Sequence, residues 1–156
     1  MADVELRPMT DAQYAAYRAC AEEGYARQVA ESGAMSWQDA VDKAAADYQR
    51  LLPEGLSTPE HHLWHAYDGE TEVGLLWLHI TAKAAGLEAF IYDVEVGESL
   101  RGRGYGQAIM RAAEELCRAR GVVSIGLNVF GQNAGARRLY EREGYEITSL
   151  QMRKHL

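Results

Sequence analysis

Cysteine is scarce in this chain. Only Cys20 and Cys117 occur among its 156 residues, both lie in segments with a helical pattern, and they share no motif. A disulfide framework and a cysteine-based zinc site are therefore excluded as organising features, and a reducing cytoplasm is the expected location. The first residues do not resemble a signal peptide, and no apolar run approaches the length of a membrane span.

Positively charged residues are also few compared with negatively charged ones. Lysine and arginine number 16 against 23 aspartates and glutamates, which leaves a formal net charge of −7. Such a balance argues against nucleic acid or an anionic membrane as the main partner. It suits a small amine substrate, although acidic charge also serves solubility alone. The length, with 47% hydrophobic residues, predicts a single domain over residues 1–156 with a core of its own.

Hydrophobic periodicity and turn residues predict ten elements in the order β-α-α-β-β-β-α-β-α-β. Thr10 or Asp11 is expected to cap the first helix, and Ser36 the second. Hairpins come before βαβ crossings, which predicts a mixed α/β sheet. The predicted strands are 4–7, 62–67, 72–81, 87–96, 122–129 and 145–152, and the predicted helices are 11–29, 37–52, 108–120 and 133–143.

A glycine-rich turn joins the fourth predicted strand to the third helix, with the sequence Arg-Gly-Arg-Gly-Tyr-Gly-Gln-Ala over residues 101–108. Glycines let the backbone approach a ligand closely, and the N–H groups of a helix start favour an anion. The turn therefore predicts a phosphate site, above all for a pyrophosphate, with a tight turn that binds nothing as the alternative. Its glycines do not have the G-x-G-x-x-G spacing of a Rossmann site, and the Gly-Lys-Ser/Thr of a P-loop is absent.

A second motif follows the fifth predicted strand, and together the two motifs resemble the GNAT family of N-acetyltransferases. The first matches that family's Q/R-x-x-G-x-G/A pyrophosphate loop at Arg101, Gly104 and Gly106. The second matches its N-x-x-A-x-x-L-Y-x-x-x-G-F/Y segment at Asn133, Ala136, Leu139, Tyr140, Gly144 and Tyr145. The resemblance extends over nearly the full length and implies the GNAT fold, with helices on both faces of the mixed sheet.

The resemblance implies acetyl-CoA as donor and direct attack by an amine in a ternary complex. The implied cofactor contacts are the backbone of Val94, Glu95 and Val96 along the pantetheine arm, the N–H groups of Gly102, Arg103, Gly104, Tyr105, Gly106 and Gln107 at the pyrophosphate, and Arg101 and Asn133. Tyr140 would protonate the leaving thiolate, since a phenol can supply that proton, and a strand-end N–H near Val94 or Val96 would stabilise the developing negative charge. Alternatives stay open: Tyr140 could serve only the core, Asn133 only as a helix cap, and Arg101 and Arg103 only as surface charges.

The proton acceptor for the attacking amine is less clearly marked. Asp93 and Glu95 share one face of their strand, since successive side chains alternate, and either could take the proton directly or through water. A solvated or salt-bridged strand face is the alternative. Some relatives that acetylate protein N-termini carry a glutamate at the position that is Asn128 here, which cannot act as a base. This departure favours a small-molecule amine.

The acceptor itself is not identified by the sequence. In the GNAT family the first two helices border the acceptor site, which makes Glu22, Glu23, Tyr25, Trp37 and Asn128 the candidates for amine recognition. His61, His62 and His65 lack metal-site spacing, so no metal is expected, and His79 could relay a proton or be an ordinary strand histidine. Competing functions are a non-catalytic acyl-CoA-binding module, a protein N-terminal acetyltransferase and a toxin that acetylates aminoacyl-tRNA, the last disfavoured by the net charge. Because relatives often dimerise, a homodimer is also open.

Overall fold

The predicted order of elements is confirmed from the first strand to the fourth helix. The structure is a computed structural model that describes residues 2–156, so Met1, counted in the predicted domain, lies outside it. The elements are β1 (Glu5–Pro8), α1 (Asp11–Glu31), α2 (Trp37–Leu51), β2 (His61–Asp68), β3 (Thr71–Lys83), β4 (Gly86–Val96), α3 (Tyr105–Ala119), β5 (Val122–Leu127) and α4 (Ala134–Arg142), with single 3₁₀ turns at Gly55–Ser57 and Glu98–Leu100.

The helix starts follow from local side-chain chemistry. The Thr10 hydroxyl accepts a hydrogen bond from the N–H of Gln13 at 3.2 Å, and the Gln13 side chain accepts one from the N–H of Thr10 at 2.9 Å. The Ser36 hydroxyl accepts from the N–H of Asp39 at 3.1 Å. Both predicted caps are thus confirmed, and each satisfies a backbone donor that a helix start leaves open.

The sheet has five strands in the order β1-β2-β3-β4-β5. Neighbouring strands are antiparallel except for the parallel pair β4 and β5, so the sheet is mixed, as predicted. The two parallel strands pair only as far as Ile91 and Leu127, whereas β4 continues along β3 as far as Val96. The sheet therefore opens between β4 and β5 toward the carboxyl end of β4.

Helices cover both faces of this sheet. One face packs against α3 in a core that includes Leu76, Leu78, Ile91, Ile109 and Met110. The other face packs against α1 and α2, where Leu63 and Trp77 meet side chains from both helices. Within residues 2–156 no helix is both long and apolar enough to cross a membrane.

The predicted last strand, 145–152, is wrong. The chain leaves α4 through Gly144 at φ +90°, and no strand pairs with the following segment in the part of the chain that the structure describes. Ile147, Leu150 and Met152 are 52%, 70% and 89% exposed. Their apolar spacing resembles a strand, but a strand needs a partner for its backbone groups, and here the pattern has none.

Candidate active site

A β-bulge in β4 sets the direction of the central carboxylate. Trp77 of β3 lies opposite Asp93, while the next residue, Leu78, lies opposite Ile91, so Tyr92 is an extra residue on β4. A bulge interrupts the alternation of side chains between the two faces of a sheet. Ile91 consequently packs in the core beneath α3, whereas Asp93 turns to the α1 side and meets Tyr17.

Asp93 has the surroundings of a base that works near neutral pH. The buried Tyr17 hydroxyl donates a hydrogen bond to its Oδ2 at 2.7 Å. Asp93 is half-buried, and protein encloses its carboxyl closely enough that burial, together with the charge of Glu95, raises its pKa to about 7 against the opposing effect of Tyr17. A carboxyl with such a pKa is available as a proton acceptor at physiological pH.

Glu95 lies beside Asp93, on the same face of β4, as the alternation predicts beyond the bulge. Burial raises the pKa of its carboxyl, and the nearby Arg101 opposes that rise. The Arg101 side chain itself donates to the Val96 carbonyl at 3.4 Å. The two carboxylates therefore influence each other, with Asp93 the more enclosed.

A cavity of about 360 Å³ opens beside Asp93. It brings together four of the residues singled out in the sequence: Asp93, Val94, Asn133 and Tyr140. It also includes Tyr25 and Asn128, two of the acceptor candidates. The remaining lining comes from α1, α2, β3, β4, β5, the segment after β5 and α4: Gln28, Lys43, Asp47, Tyr48, Arg50, Leu51, Trp77, Phe90, Ile91, Tyr92, Leu127, Val129, Phe130 and Ala136.

Tyr140 reaches this cavity from α4. The helix is capped by Asn133, whose Oδ1 accepts from the N–H of Ala136 at 3.2 Å. The Tyr140 ring packs against the core beneath α3, and burial, with a smaller effect from Asp93, raises the pKa of its hydroxyl. The phenol therefore stays protonated and can donate a proton. Asp93, whose carboxylate can accept a proton, lines the same cavity.

The glycine turn places uncapped N–H groups at the start of α3. Gly102 and Gly104 have φ of +76° and +87°, which favours glycine, and a Cβ at Gly102 would meet nothing within 4 Å. Because Gly104 turns the chain directly into the helix, α3 begins at Tyr105 rather than at the predicted 108. The α-helices α1, α2 and α4 each have a side-chain cap, whereas α3 has none. Its first-turn donors fit an anion such as a pyrophosphate.

The side chains around this turn are largely occupied elsewhere. The Tyr105 hydroxyl donates to Asp68 at 2.7 Å, and the Gln107 amide donates to Glu143 at the end of α4. Glu143 is almost fully buried and also accepts from Arg111 at 3.2 Å. These contacts leave the backbone N–H groups, rather than the Tyr105 and Gln107 side chains, available to an anion, and those to Glu143 tie α3 to α4.

The opening between β4 and β5 exposes one backbone edge of β4. From Tyr92 to Val96 this edge has no partner on β5, since that pairing ends at Ile91. A chain with alternating amide donors and acceptors, such as a pantetheine arm, matches an unpaired strand edge. The opening starts at the cavity and runs toward the glycine turn.

The other acceptor candidates lie away from the cavity. Glu22 is paired with Arg18 at 2.6 Å and Glu23 with Arg27 at 2.8 Å, both along α1. Trp37 is 49% exposed at the start of α2 and is not part of the lining.

The structure adds residues that the sequence did not mark. Tyr17 supports Asp93, while Lys43, Asp47 and Arg50 line the cavity from α2. The sequence carried only a weak signal for them. An aromatic residue in a helix, such as Tyr17, is more often a core residue than a site residue, and the charged residues of α2 have the spacing of a solvated helix face.

Two of the histidines, His61 of β2 and His79 of β3, lie against each other. His61 and His79 stack with centroids 3.9 Å apart, and the Trp77 indole donates to His61 Nδ1 at 2.9 Å. Burial lowers the pKa of His61 to about 4 and also lowers that of His79. Across residues 2–156 no group of three or more potential metal ligands is found.

The model of the Acetyltransferase (GNAT) family matches residues 14–145. The chain belongs to this family. It is 35% identical over 154 residues to the uncharacterized N-acetyltransferase YycN of Bacillus subtilis strain 168, covering 98% of this chain and 99% of YycN. It is 32% identical over 152 residues to the uncharacterized N-acetyltransferase YdgE of the same strain, covering 97% of both. The crystal structure of YycN superposes with a TM-score of 0.94 over 98% of each chain, at 34% identity.

Proposed function

We propose that this GNAT protein transfers an acetyl group from acetyl-CoA to the primary amine of a small molecule, by direct attack within a ternary complex. One observation carries the proposal. A carboxyl with a raised pKa, Asp93, and a protonated phenol, Tyr140, line the same cavity where the sheet opens between β4 and β5.

The residues present fit acetyl-CoA, which supplies the activated acyl group as a thioester. The free edge of β4 from Tyr92 to Val96 would hold the pantetheine arm through backbone hydrogen bonds. The uncapped N–H groups at the start of α3 would hold the pyrophosphate, with Arg101 and Arg103 close by on the exposed turn. Asn133, besides capping α4, faces the cavity and would contact the arm.

The chain's own groups can move the two protons that the reaction requires. The attacking amine must lose a proton, and Asp93 accepts it as a carboxylate near neutral pH. The leaving sulfur must gain a proton, and Tyr140 donates it from its hydroxyl. A backbone N–H at Val94 or Val96 would stabilise the negative charge that develops on the carbonyl oxygen.

A small-molecule acceptor is supported by two features. The cavity, of about 360 Å³, is bordered by α2 and β4, a size typical of small-ligand sites. Asn128 lies in its lining, at the position where some protein N-terminal acetyltransferases carry a glutamate.

The deciding experiment is calorimetric titration with acetyl-CoA, followed by a thiol-release assay on small amines and on peptides with free N-termini. Micromolar binding of acetyl-CoA, with release of the CoA thiol when a small amine is added, is the expected result. Release with peptides alone would favour a protein N-terminal acetyltransferase, and binding with no release would favour a non-catalytic acyl-CoA module. Failure to bind acetyl-CoA would contradict the proposal.

The Tyr140→Phe variant tests the proton donor. We expect kcat to fall by roughly 100-fold, the range for loss of a general acid, while the Kd for acetyl-CoA changes little because the ring remains in place. Tyr145→Phe is the matched control, since its ring centroid lies 6.0 Å from that of Tyr140 and its buried hydroxyl has no hydrogen-bond partner among residues 2–156. Undiminished turnover in Tyr140→Phe would remove Tyr140 from the mechanism.

A further inference from the structure

Two cations and one carboxylate of α2 form a charged group in the lining of the cavity. Asp47 accepts from Lys43 at 2.5 Å and from the Tyr25 hydroxyl at 3.2 Å. Arg50 makes a longer contact, 3.5 Å, with the other carboxylate oxygen of Asp47. Two positive charges against one negative charge leave this group with a net positive charge, although the whole chain carries −7.

Arg50 is the cation of this group that can donate further hydrogen bonds. Its side chain is 68% exposed, and within residues 2–156 its one hydrogen bond, a long contact with Asp47, leaves most of its five N–H donors available. It lines the cavity and lies close enough to Tyr92 to oppose the rise in the pKa of that phenol. Arg50 and Tyr92 therefore lie near each other in the lining of the cavity.

Three aromatic rings of β3 and β4 line the same cavity as this charged group and Asp93. The rings of Trp77 and Tyr92 stack with centroids 4.7 Å apart, and Phe90 meets Tyr92 edge-to-face at 4.8 Å. Tyr92 is 36% exposed, and it owes this position, next to Asp93, to the bulge. All three rings line the cavity, which suits a flat apolar group.

We infer that the acceptor is an amine that carries a carboxylate, with a flat apolar body between the two groups. This inference rests on the proposed function and specifies its substrate class. The amine lies at Asp93, the body lies against Tyr92, and the carboxylate meets the planar donors of Arg50, which match its two oxygens. A polyamine or aminoglycoside would instead bring further positive charge toward Lys43 and Arg50.

The test compares matched amines in the thiol-release assay: para-(aminomethyl)benzoate, benzylamine, which lacks the carboxylate, and spermidine as a polycation. We expect kcat/KM for the carboxylate to exceed that for benzylamine by about tenfold. Arg50→Gln should remove this difference by lowering kcat/KM for the carboxylate alone. Arg27→Gln, on α1 outside the cavity, is the control and should leave all three values unchanged. Arg50→Glu should shift the preference toward spermidine.

Direct binding gives a readout that does not depend on turnover. Calorimetric titration of the CoA-bound protein with para-(aminomethyl)benzoate should show binding that Arg50→Gln weakens about tenfold and Arg27→Gln leaves alone. A preference for spermidine, or a carboxylate preference that persists in Arg50→Gln, would overturn the inference while leaving the acetyltransferase proposal intact. Absence of acetyl-CoA binding would instead contradict the proposed function.

Discussion

A carboxyl group serves as a base near pH 7 only if its surroundings disfavour the ionised form. Two neighbouring side chains shift the pKa of Asp93 in opposite directions, and each can be removed separately. The neighbouring Glu95 raises the pKa of Asp93, and the hydrogen bond from Tyr17 lowers it. Glu95 and Tyr17 can each be replaced by a side chain of nearly the same shape without opening a large gap. The assignment of Asp93 as the base can therefore be tested by shifts in the pH dependence of activity, and not by loss of activity alone.

The pH profile of kcat/KM should show an acidic limb near pH 7, with activity rising as Asp93 loses its proton. Glu95→Gln removes a negative neighbour and should move this limb to lower pH. Tyr17→Phe removes a donor to the carboxylate and should move it to higher pH. The same amine is used throughout, so its own ionisation cancels in the comparison. Asp39→Asn, on the exposed first turn of α2, is the control. If the acidic limb of the profile moved in neither Glu95→Gln nor Tyr17→Phe, the base would be a group other than Asp93.

At the scale of the element, β4 shows what a sequence pattern can and cannot predict. Strict alternation correctly places Asp93 and Glu95 on one face, but it places Tyr92 on the opposite face. The bulge puts Tyr92 and Asp93 on the same side, where Tyr92 stacks on Trp77. A bulge arises from packing across strands and against α1 and α2, which is not visible in the residues of β4 alone.

The pairing of β3 with the end of β4 depends on Gly74. A Cβ at this position would lie 2.2 Å from the Glu95 carbonyl oxygen and 2.8 Å from Ile109 Cδ1. Gly74→Ala should therefore lower the free energy of unfolding by about 3 kcal/mol, at the upper end of overpacking effects, because one of the obstructing atoms belongs to the backbone. Urea denaturation measures the change.

The control for Gly74 is Gly126→Ala in β5, where the added Cβ would make an ordinary contact with Phe90 at 3.5 Å. This variant should change stability by less than about 1 kcal/mol. If Gly74→Ala were as stable as the unaltered chain, β3 and β4 could separate at this point without loss, and the close approach of Gly74 to the Glu95 carbonyl would not limit their pairing.

At the scale of the whole molecule, order along the chain was predictable, whereas the part of the cavity that α2 contributes was not. Caps at Thr10 and Ser36 and the glycine turn before α3 are local signals, so the topology followed from them. Lys43, Asp47 and Arg50 reach the cavity only because α2 docks on the sheet, and that docking depends on contacts between residues far apart in sequence. The same limit explains the last predicted strand, whose pattern is local but whose partner strand is not.

The C-terminal segment after α4 divides into an anchored and an exposed part. The Tyr145 ring packs on the core beneath α3, whereas Ile147, Leu150 and Met152 are exposed. Removal of residues 147–156 should change the free energy of unfolding of the monomer by less than about 1 kcal/mol. Tyr145→Ala should lower it by about 2 kcal/mol, since a half-buried ring is lost from the core.

Urea denaturation of both variants, with light scattering to measure the molar mass, distinguishes the possible roles of this exposed segment. Equal stability of the truncated and full chains at monomer mass would confirm that the segment adds nothing to the fold. A large loss of stability accompanied by the dissociation of a dimer would contradict this expectation. It would show that a second copy covers the apolar side chains, and that the segment contributes to the assembly rather than to the single chain.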